Sequence, residues 1–351
     1  MNEALGKLRH WLIEKGLQGV VLTQEASIAW LFGGRYHIAI ATELACVSVL
    51  VARDATEALV NNIEAQRLQD EEGLAVDQVR IYPWYDEAAR LNWLTRWLAV
   101  QGVVEESLVG SEIQSLRLTF DKNQIHLLRD LGKSVAGALY QTSIGLRPDV
   151  SEYDAAGALA AQCMSRGIEP IVNLVAGSRR AHLYRHLLPT FEPLGRYAVL
   201  SVSGRRAGLV VSASRMVHFG PAEKEFLIKY RAVLQVEAAL VHASVVGASL
   251  GDALMSGINA YVENGFPDEW KQHHQGGLGG YLPREVRATI GHPMRIEPGM
   301  LLSWNPTIRG VKAEDSVLVR EDGVEWLTVD EGFPTVSVNN GRFYLPEAMQ
   351  L

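Results

Sequence analysis

Apolar residues recur along this chain with two different periods, and the alternation between them predicts its elements. Leu5, Leu8 and Leu12 sit at helical spacing within residues 1–18 and predict an opening amphipathic helix. Short unbroken apolar runs follow at 19–23, 45–51, 80–82 and 107–110, the pattern of buried strands. Between the last two runs, residues 86–100 carry Leu91, Leu94 and Leu98 on one helical face. Helices alternating with strands predict a compact α/β domain over residues 1–120.

The texture then changes. Asp121-Lys122-Asn123-Gln124 has the form of a capping box opening a helix through about Ser143. A second helix is predicted over 148–167, with Ser151 and Asp154 as its capping pair. Residues 197–204 and 207–215 read as two strands of a hairpin turning around 204–206. Period-2 alternation puts Ser201 and Ser203 on one face of the first strand, and Ser212 and Ser214 on one face of the second. On pattern alone these are small residues beneath a close-packed helix. Further helices are expected over 221–246, entered through Gly220-Pro221, and over 251–265. Strands are expected over 299–306, 313–319 and 324–328, with Arg320-Glu321-Asp322-Gly323 as a hairpin turn. Two long helices followed by strands predict an α+β domain over residues 121–351.

Composition narrows the class. The chain has 351 residues, 48% hydrophobic and 21% charged, which suits a globular protein with a sizeable core. No run approaches the ~18 apolar residues of a membrane span, and residues 1–18 lack a signal peptide's apolar run. A cytoplasmic protein is the expectation. A net charge of −7 with scattered Lys and Arg argues against nucleic-acid and polybasic membrane contacts. Cys46 and Cys163 are the two cysteines and form no C-x-x-C, so neither a disulfide framework nor a cysteine zinc site is indicated.

The candidate chemistry centres on residues 273–285, His273-His274-Gln275-Gly276-Gly277-Leu278-Gly279-Gly280-Tyr281-Leu282-Pro283-Arg284-Glu285. Four glycines in five positions leave backbone open to close approach beside two histidines and an Arg-Glu pair. The spacing does not match G-x-G-x-x-G, so it is no dinucleotide fingerprint. His182 and His186 are four apart, without a predicted helix or carboxylate partners to make a zinc site.

Residues 121–328 resemble, in order, the catalytic domain of the creatinase/prolidase/aminopeptidase P superfamily, the pita-bread fold. The segment "YAVLSVSGRRAGLVVSASRMV" is similar to its metal-binding hairpin and "HHQGGLGG" to its H-x-x-G-H-x-x-G. "IEPGMLLSWNP" is similar to its Pro-Gly-Met strand, and "AEDSVLVREDGVEWLT" to its closing Glu-Asp-Thr segment. "IAWLFGG" in the first domain resembles the family's smaller α/β domain. The family's dinuclear metal site uses two Asp, one His and two Glu. The corresponding positions here are Ser201, Ser212, Gly277, Asn305 and Glu314, and only the last retains its ligand type. One carboxylate, two hydroxyls and an amide will not hold two divalent ions, so no metal or other cofactor is expected.

The resemblance implies instead a metal-independent, creatinase-like hydrolase acting on a small polar amide, amidine or amino-acid derivative. His186 in "RHLLPT", fifteen residues before Ser201, is near the position of creatinase's acid/base histidine. Glu314 would orient water beside it or pair with a cationic substrate group. His273, His274, Tyr281, Arg284, Glu285 and Asn305 are candidate substrate contacts, with Arg284 able to clamp a carboxylate. Arg284-Glu285 match either a His-Glu of the metallopeptidases or, with a small gap, an Arg-Glu of creatinase. The resemblance also implies a homodimer in which the region of Gly33-Gly34-Arg35-Tyr36-His37 reaches a neighbouring site, making Arg35 a further substrate contact. Two alternatives stand beside this reading: a pseudoenzyme that binds or regulates, and an Xaa-Pro aminopeptidase or dipeptidase with a metal site rebuilt from His273, His274 and Glu314.

Overall fold

The computed structural model describes residues 3–338 and 341–351; Met1 and Asn2, the start of the predicted first helix, lie outside them. The chain divides into two compact units, one of Met1–Leu118 with Arg206–Leu209 and the other of Thr119–Arg205 with Val210–Leu351.

The first unit runs α1 (Glu3–Glu14), β1 (Gly19–Gln24), α2 (Glu25–Phe32), β2 (Leu44–Ala52), β3 (Thr56–Asn61), α3 (Ala65–Asp70), β4 (Gln78–Tyr82), α4 (Glu87–Leu98), β5 (Val103–Glu105) and α5 (Glu106–Leu116). Its five strands form one mixed sheet in the order β4-β3-β2-β1-β5. The run at 107–110 is helical, not a strand. The strand lies one step earlier, where β5 pairs in parallel with β1. The first residue of the helix, Glu106, ties it to β1: its carboxylate accepts from the backbone N–H groups of Thr23 and Gln24, at 2.7 and 2.8 Å. Helix α2 carries almost no polar face, since Glu25 to Leu31 are all buried. A helix buried on every side shows no amphipathic period.

The second unit runs α6 (Lys122–Ser143), α7 (Glu152–Met164), β6 (Glu169–Gly177), the short α8 (Ser178–Ala181), β7 (Tyr197–Arg206), β8 (Leu209–His218), α9 (Lys224–Ala243) and α10 (Leu250–Glu263). Strands β9 (Gly276–Gly279), β10 (Val286–Arg287), β11 (Leu301–Trp304), β12 (Thr307–Ile308), β13 (Val311–Lys312), β14 (Asp315–Arg320), β15 (Gly323–Trp326), β16 (Thr335–Val338), β17 (Phe343–Pro346) and β18 (Met349–Gln350) follow. Two sheets dominate, β18-β8-β7-β6 and β10-β9-β11-β14-β15. They meet where the Ser214 N–H donates to the Glu314 carbonyl at 2.9 Å. The architecture is the expected α+β.

The predicted caps are present. Asp121 and Gln124 make a full capping box on α6, and Ser151 accepts from the Asp154 N–H at the start of α7. The hairpin turn sits later than predicted, at Ala207-Gly208, both with positive φ (50° and 79°). A two-residue turn of that kind matches the strand twist better than a longer one at 204–206. Helix α9 begins at Lys224 and ends at Ala243, short of the predicted limits at both ends. Trp304 is fully buried, and its indole N–H donates to Ser244 Oγ beyond the end of α9 at 2.9 Å.

Candidate functional site

A cavity of about 130 Å³ lies within the second unit, lined by side chains of β6, β7 and β13 and of the loops that carry His186, His273, Arg284 and Asn305. Its charged end is Glu314. The carboxylate Oε2 accepts from Lys312 Nζ at 2.8 Å and from Ser214 Oγ at 2.7 Å, while Oε1 accepts from Arg284 Nη2 at 3.1 Å. Lys312 Nζ also donates to Ser201 Oγ at 3.1 Å, and Ser201 Oγ lies 2.6 Å from Ser214 Oγ. Ammonium donates only and carboxylate accepts only. Ser214 therefore spends its proton on Glu314, and Ser201 donates to Ser214. Lys312, Ser201, Ser214 and Glu314 close a ring in which every bond has one direction.

Burial alone would raise the Glu314 pKa, but the charges of Lys312 and Arg284 and the hydrogen bonds from Lys312 and Ser214 outweigh it and bring it down to about 2. Lys312 and Glu314 fall on the same side of an extended strand because they are two apart. That spacing is the one signal of Lys312 in the sequence, and it lies outside the family's ligand motif.

The other end is built from imidazoles. His186 comes from the loop after α8, held in place by buried Leu187 and by Arg185, which bridges Glu269 and donates to Thr307 Oγ1. His273 and His274 precede β9, with rings stacked at a centroid distance of 4.4 Å. The following residue fixes them: Gln275 donates to the His273 carbonyl, accepts from Tyr261 Oη at 2.8 Å, and takes the Asn305 N–H on its own carbonyl at 3.0 Å. One ring nitrogen from each of His186, His273 and His274 can be chosen so that all lie within 4.8 Å of one another. Burial, then the charge of Lys312, lowers the His273 pKa to about 2. Burial, then the charge of Arg284, lowers that of His274 to about 4. Both rings are neutral at neutral pH, and both Nδ1 atoms are buried without a hydrogen-bond partner.

Of the residues singled out in the sequence, His186, His273, His274, Arg284, Asn305 and Glu314 meet in this cavity. Tyr281 and Glu285 serve the loop instead: Gln124 donates to Tyr281 Oη at 2.9 Å, and Glu285 Oε1 accepts from the N–H groups of Tyr281 and Leu282. Arg35 belongs to the first unit, where its side chain pairs with Glu72 at 2.8 Å. Arg284 donates to Glu314 through Nη2 and to the Pro283 carbonyl through Nη1, which leaves only its buried Nε without a partner.

The positions that match the family's dinuclear ligands do not fit a metal pair. Ser212 Oγ is 2.7 Å from Ser203 Oγ, and the Ser201 hydroxyl is committed to the ring. Gly277 has φ +143, and a Cβ there would stand 2.2 Å from the Val286 carbonyl oxygen, so no histidine fits that backbone. Glu314 is likewise a poor member of a rebuilt set with His273 and His274, since Lys312, Ser214 and Arg284 occupy it; His186 is the third group that the geometry supplies. Among the described residues no other cluster of three or more His, Cys, Asp or Glu has this convergence.

The chain thus consists of an N-terminal unit with one mixed sheet and a second unit in which two long helices and a pair of sheets surround a cavity. The family model described as metallopeptidase family M24 matches residues 126–321, and that of the creatinase/prolidase N-terminal domain matches residues 5–180. The chain belongs to the creatinase/prolidase/aminopeptidase P superfamily, with an incomplete set of the family's metal ligands. It is 21% identical over 224 residues to a Bacillus subtilis protein provisionally named dipeptidase YkvY, a match spanning 62% of each chain. The alignment thus covers less than two thirds of that relative's length. The prolidase from Pyrococcus horikoshii OT3 superposes with a TM-score of 0.78 at 16% identity, covering 94% of this chain and 99% of that one. The N-terminal domain of the FACT complex subunit SPT16 from Cicer arietinum superposes at 0.72 and 11% identity, covering 93% and 95%. At such identities the likeness is one of fold. No helix among the described residues is long and apolar enough to cross a membrane.

Proposed function

We propose that the protein is a hydrolase of the Xaa-Pro peptidase type, cleaving the C–N bond of a small amide or dipeptide, with its centre rebuilt on His186, His273 and His274. The observation that carries this reading is the convergence of three imidazole nitrogens within 4.8 Å at the edge of a partly open cavity. Neutral imidazole is a common ligand of transition metals, and three such ligands with an open fourth position is a known arrangement of hydrolytic zinc sites. The unpartnered Nδ1 atoms of His273 and His274 support it, because a buried polar atom without a partner is costly unless something binds it. A bound ion would supply Lewis acidity there.

The chain's own residues then have separate tasks. Asn305, whose Oδ1 is buried and unpartnered, is placed to take a donor from the substrate. Glu314 is a poor proton acceptor near neutral pH because its three donors stabilise the carboxylate. That weakens the metal-independent His186/Glu314 acid–base scheme expected from the resemblance. His186, the exposed member of the three, cannot be ligand and free base at once.

The test is turnover of a panel of Xaa-Pro dipeptides and small amides with Zn²⁺, Mn²⁺ or Co²⁺ added after chelation. Metal-dependent hydrolysis that disappears in His273→Ala and His274→Ala supports the reading. Turnover that persists after chelation and in both variants would return the chemistry to a metal-free scheme. Stoichiometric metal binding with no turnover would favour a binding protein on the same fold.

A further inference from the structure

We propose that Lys312 is a tethered cation standing at Glu314 where the family's matching glutamate meets a divalent ion, and that it closes the carboxylate end of the cavity to metals. This inference concerns the same cavity as the function just proposed and rests on that reading only for where else an ion can bind.

The argument begins with lone pairs. A carboxylate oxygen offers about two acceptor sites. Oε2 of Glu314 already accepts from Lys312 and Ser214, and Oε1 from Arg284. A metal at ordinary carboxylate distance, about 2.0–2.2 Å, would have to displace the Lys312 ammonium to reach Oε2. Displacement meets a second obstacle, since the same ammonium is held from the other side by Ser201 Oγ at 3.1 Å. Both Lys312 and Glu314 are buried, at 8% and 5% exposure, so the side chain has no solvated position close at hand.

Charge adds to this. Lys312 and Arg284 bring two formal positive charges against the one negative charge of Glu314. An arriving divalent ion would therefore meet net repulsion rather than the pool of carboxylates that such ions require. Few other ligands wait for it: Ser201 and Ser214 have directed their protons around the ring, Gly277 contributes no side chain, and Asn305 offers one neutral amide oxygen in place of a carboxylate. In this site the lysine performs the structural part of a metal's task, neutralising Glu314 and fastening strands β7, β8 and β13 to each other.

Three arms of one experiment on the full-length protein test this. Co²⁺ is titrated into the wild type, Glu314→Gln and His273→Ala/His274→Ala, followed by visible absorption. Co²⁺ affinity should change by no more than about twofold in Glu314→Gln, as expected when no ligand is removed; loss of a ligand or its support typically costs about 10-fold or more. Such a loss in Glu314→Gln would make Glu314 a ligand and overturn the proposal. A wild type that takes up no Co²⁺ would remove the histidine reading and leave Lys312 to be judged on stability alone.

The stability arm uses Lys312→Ala, which should melt about 6 °C or more below the wild type because it removes the nearer of the two cations paired with a buried carboxylate. Methylammonium or Mn²⁺, neither of which should move the wild type, should restore at least half of that loss. A folded Lys312→Ala that no cation restores overturns the proposal. Lys312→Met retains most of the side-chain volume and decides the matter if the alanine variant does not accumulate. It should be destabilised, and adding Glu314→Gln should recover much of the loss; wild-type stability in Lys312→Met, or no recovery in the double variant, overturns the proposal.

Discussion

Acidification from pH 7.5 to 5.0 should destabilise the second unit through its neutral histidines. His273 has a pKa near 2 in the folded protein against 6.5 ordinarily, and His274 one near 4. The folded values lie below the unfolded ones, so below pH 6.5 the unfolded chain binds more protons. The stability associated with these groups is complete above pH 6.5 and is lost as the pH falls toward the folded values. At pH 5 the unfolded imidazole sits about 1.5 pKa units below its midpoint, which at about 1.4 kcal/mol per unit gives roughly 2 kcal/mol for His273. His274 has the same unfolded reference but is more open to solvent, and screening reduces its share to about 1 kcal/mol. The sum, about 3 kcal/mol, corresponds to a fall of about 6–12 °C in melting temperature for a unit of this size. Calorimetry at half-unit steps in metal-free buffer measures it. His273→Asn should remove about two thirds of the slope between pH 6.5 and 5 while leaving the remaining titrations in place. A wild-type profile that is flat over this range, or an unchanged slope in His273→Asn, would refute the claim that burial and Lys312 keep this ring neutral.

Gly277→Ala should cost about 3–5 kcal/mol in urea denaturation, because it combines a strained φ with a methyl group pressed on the Val286 carbonyl; a cost below about 1 kcal/mol would show that the β9–β10 pairing yields easily. Glu314, with its folded pKa near 2 against 4.5, contributes stability that is present above pH 4.5 and lost as the pH falls toward 2. Acid titration of the wild type should therefore show a loss of about 3 kcal/mol that Glu314→Gln lacks. Arg35→Ala should lower the stability of the first unit by about 1 kcal/mol or less, since Arg67 also pairs with Glu72 at 3.1 Å. A larger loss in chemical denaturation would mean that Arg67 does not hold Glu72 alone.

The elements that sequence made visible are those whose burial is one-sided or whose ends carry a chemical mark. Helix α6 shows its capping box and its apolar face, and the turn between β14 and β15 shows its Asp-Gly. Helix α2 and strand β6 were not visible. The first is buried on all sides and so lacks periodicity; the second is mostly half-buried and carries a proline, Pro170, where its pairing with β7 shifts register. The serines of the β7–β8 hairpin were placed on the correct faces by period alone. What they do there depended on a partner more than a hundred residues away in Ser201 and on one a hundred away in Ser214, respectively Lys312 and Glu314. Lys312 itself lies outside the family's ligand motif, so a motif comparison has no reason to stop at it. The histidine cluster was legible as three separate residues, but its convergence depends on how Gln275 anchors one loop and Arg185 another.

Retention of Glu314 is the most misleading feature of the sequence, since it is the one family ligand position still occupied by its usual residue. A buried carboxylate requires a compensating charge, whatever the source. If a metal had supplied that charge and was then lost, Glu314 would be among the costliest residues to keep. Its retention beside Lys312 and Arg284 is explained by their pairing, and so carries no information about metal binding. The ring also divides the cavity into two kinds of surface. The carboxylate end has most of its donors and acceptors matched within the protein, with the buried Arg284 Nε as the exception, and gains less from a ligand. The imidazole end leaves buried atoms of His273, His274 and Asn305 without partners, each at a cost of about 1–3 kcal/mol that a ligand can relieve. Binding energy is therefore to be sought at the histidines. A ligand or ion that contacts them should raise the melting temperature more than one of similar affinity for the free protein's surface only if it binds the native state selectively. His274→Ala should abolish that increase, whereas Glu314→Gln should lower the baseline and preserve the increase; the opposite pattern would place the ligand at the carboxylate end.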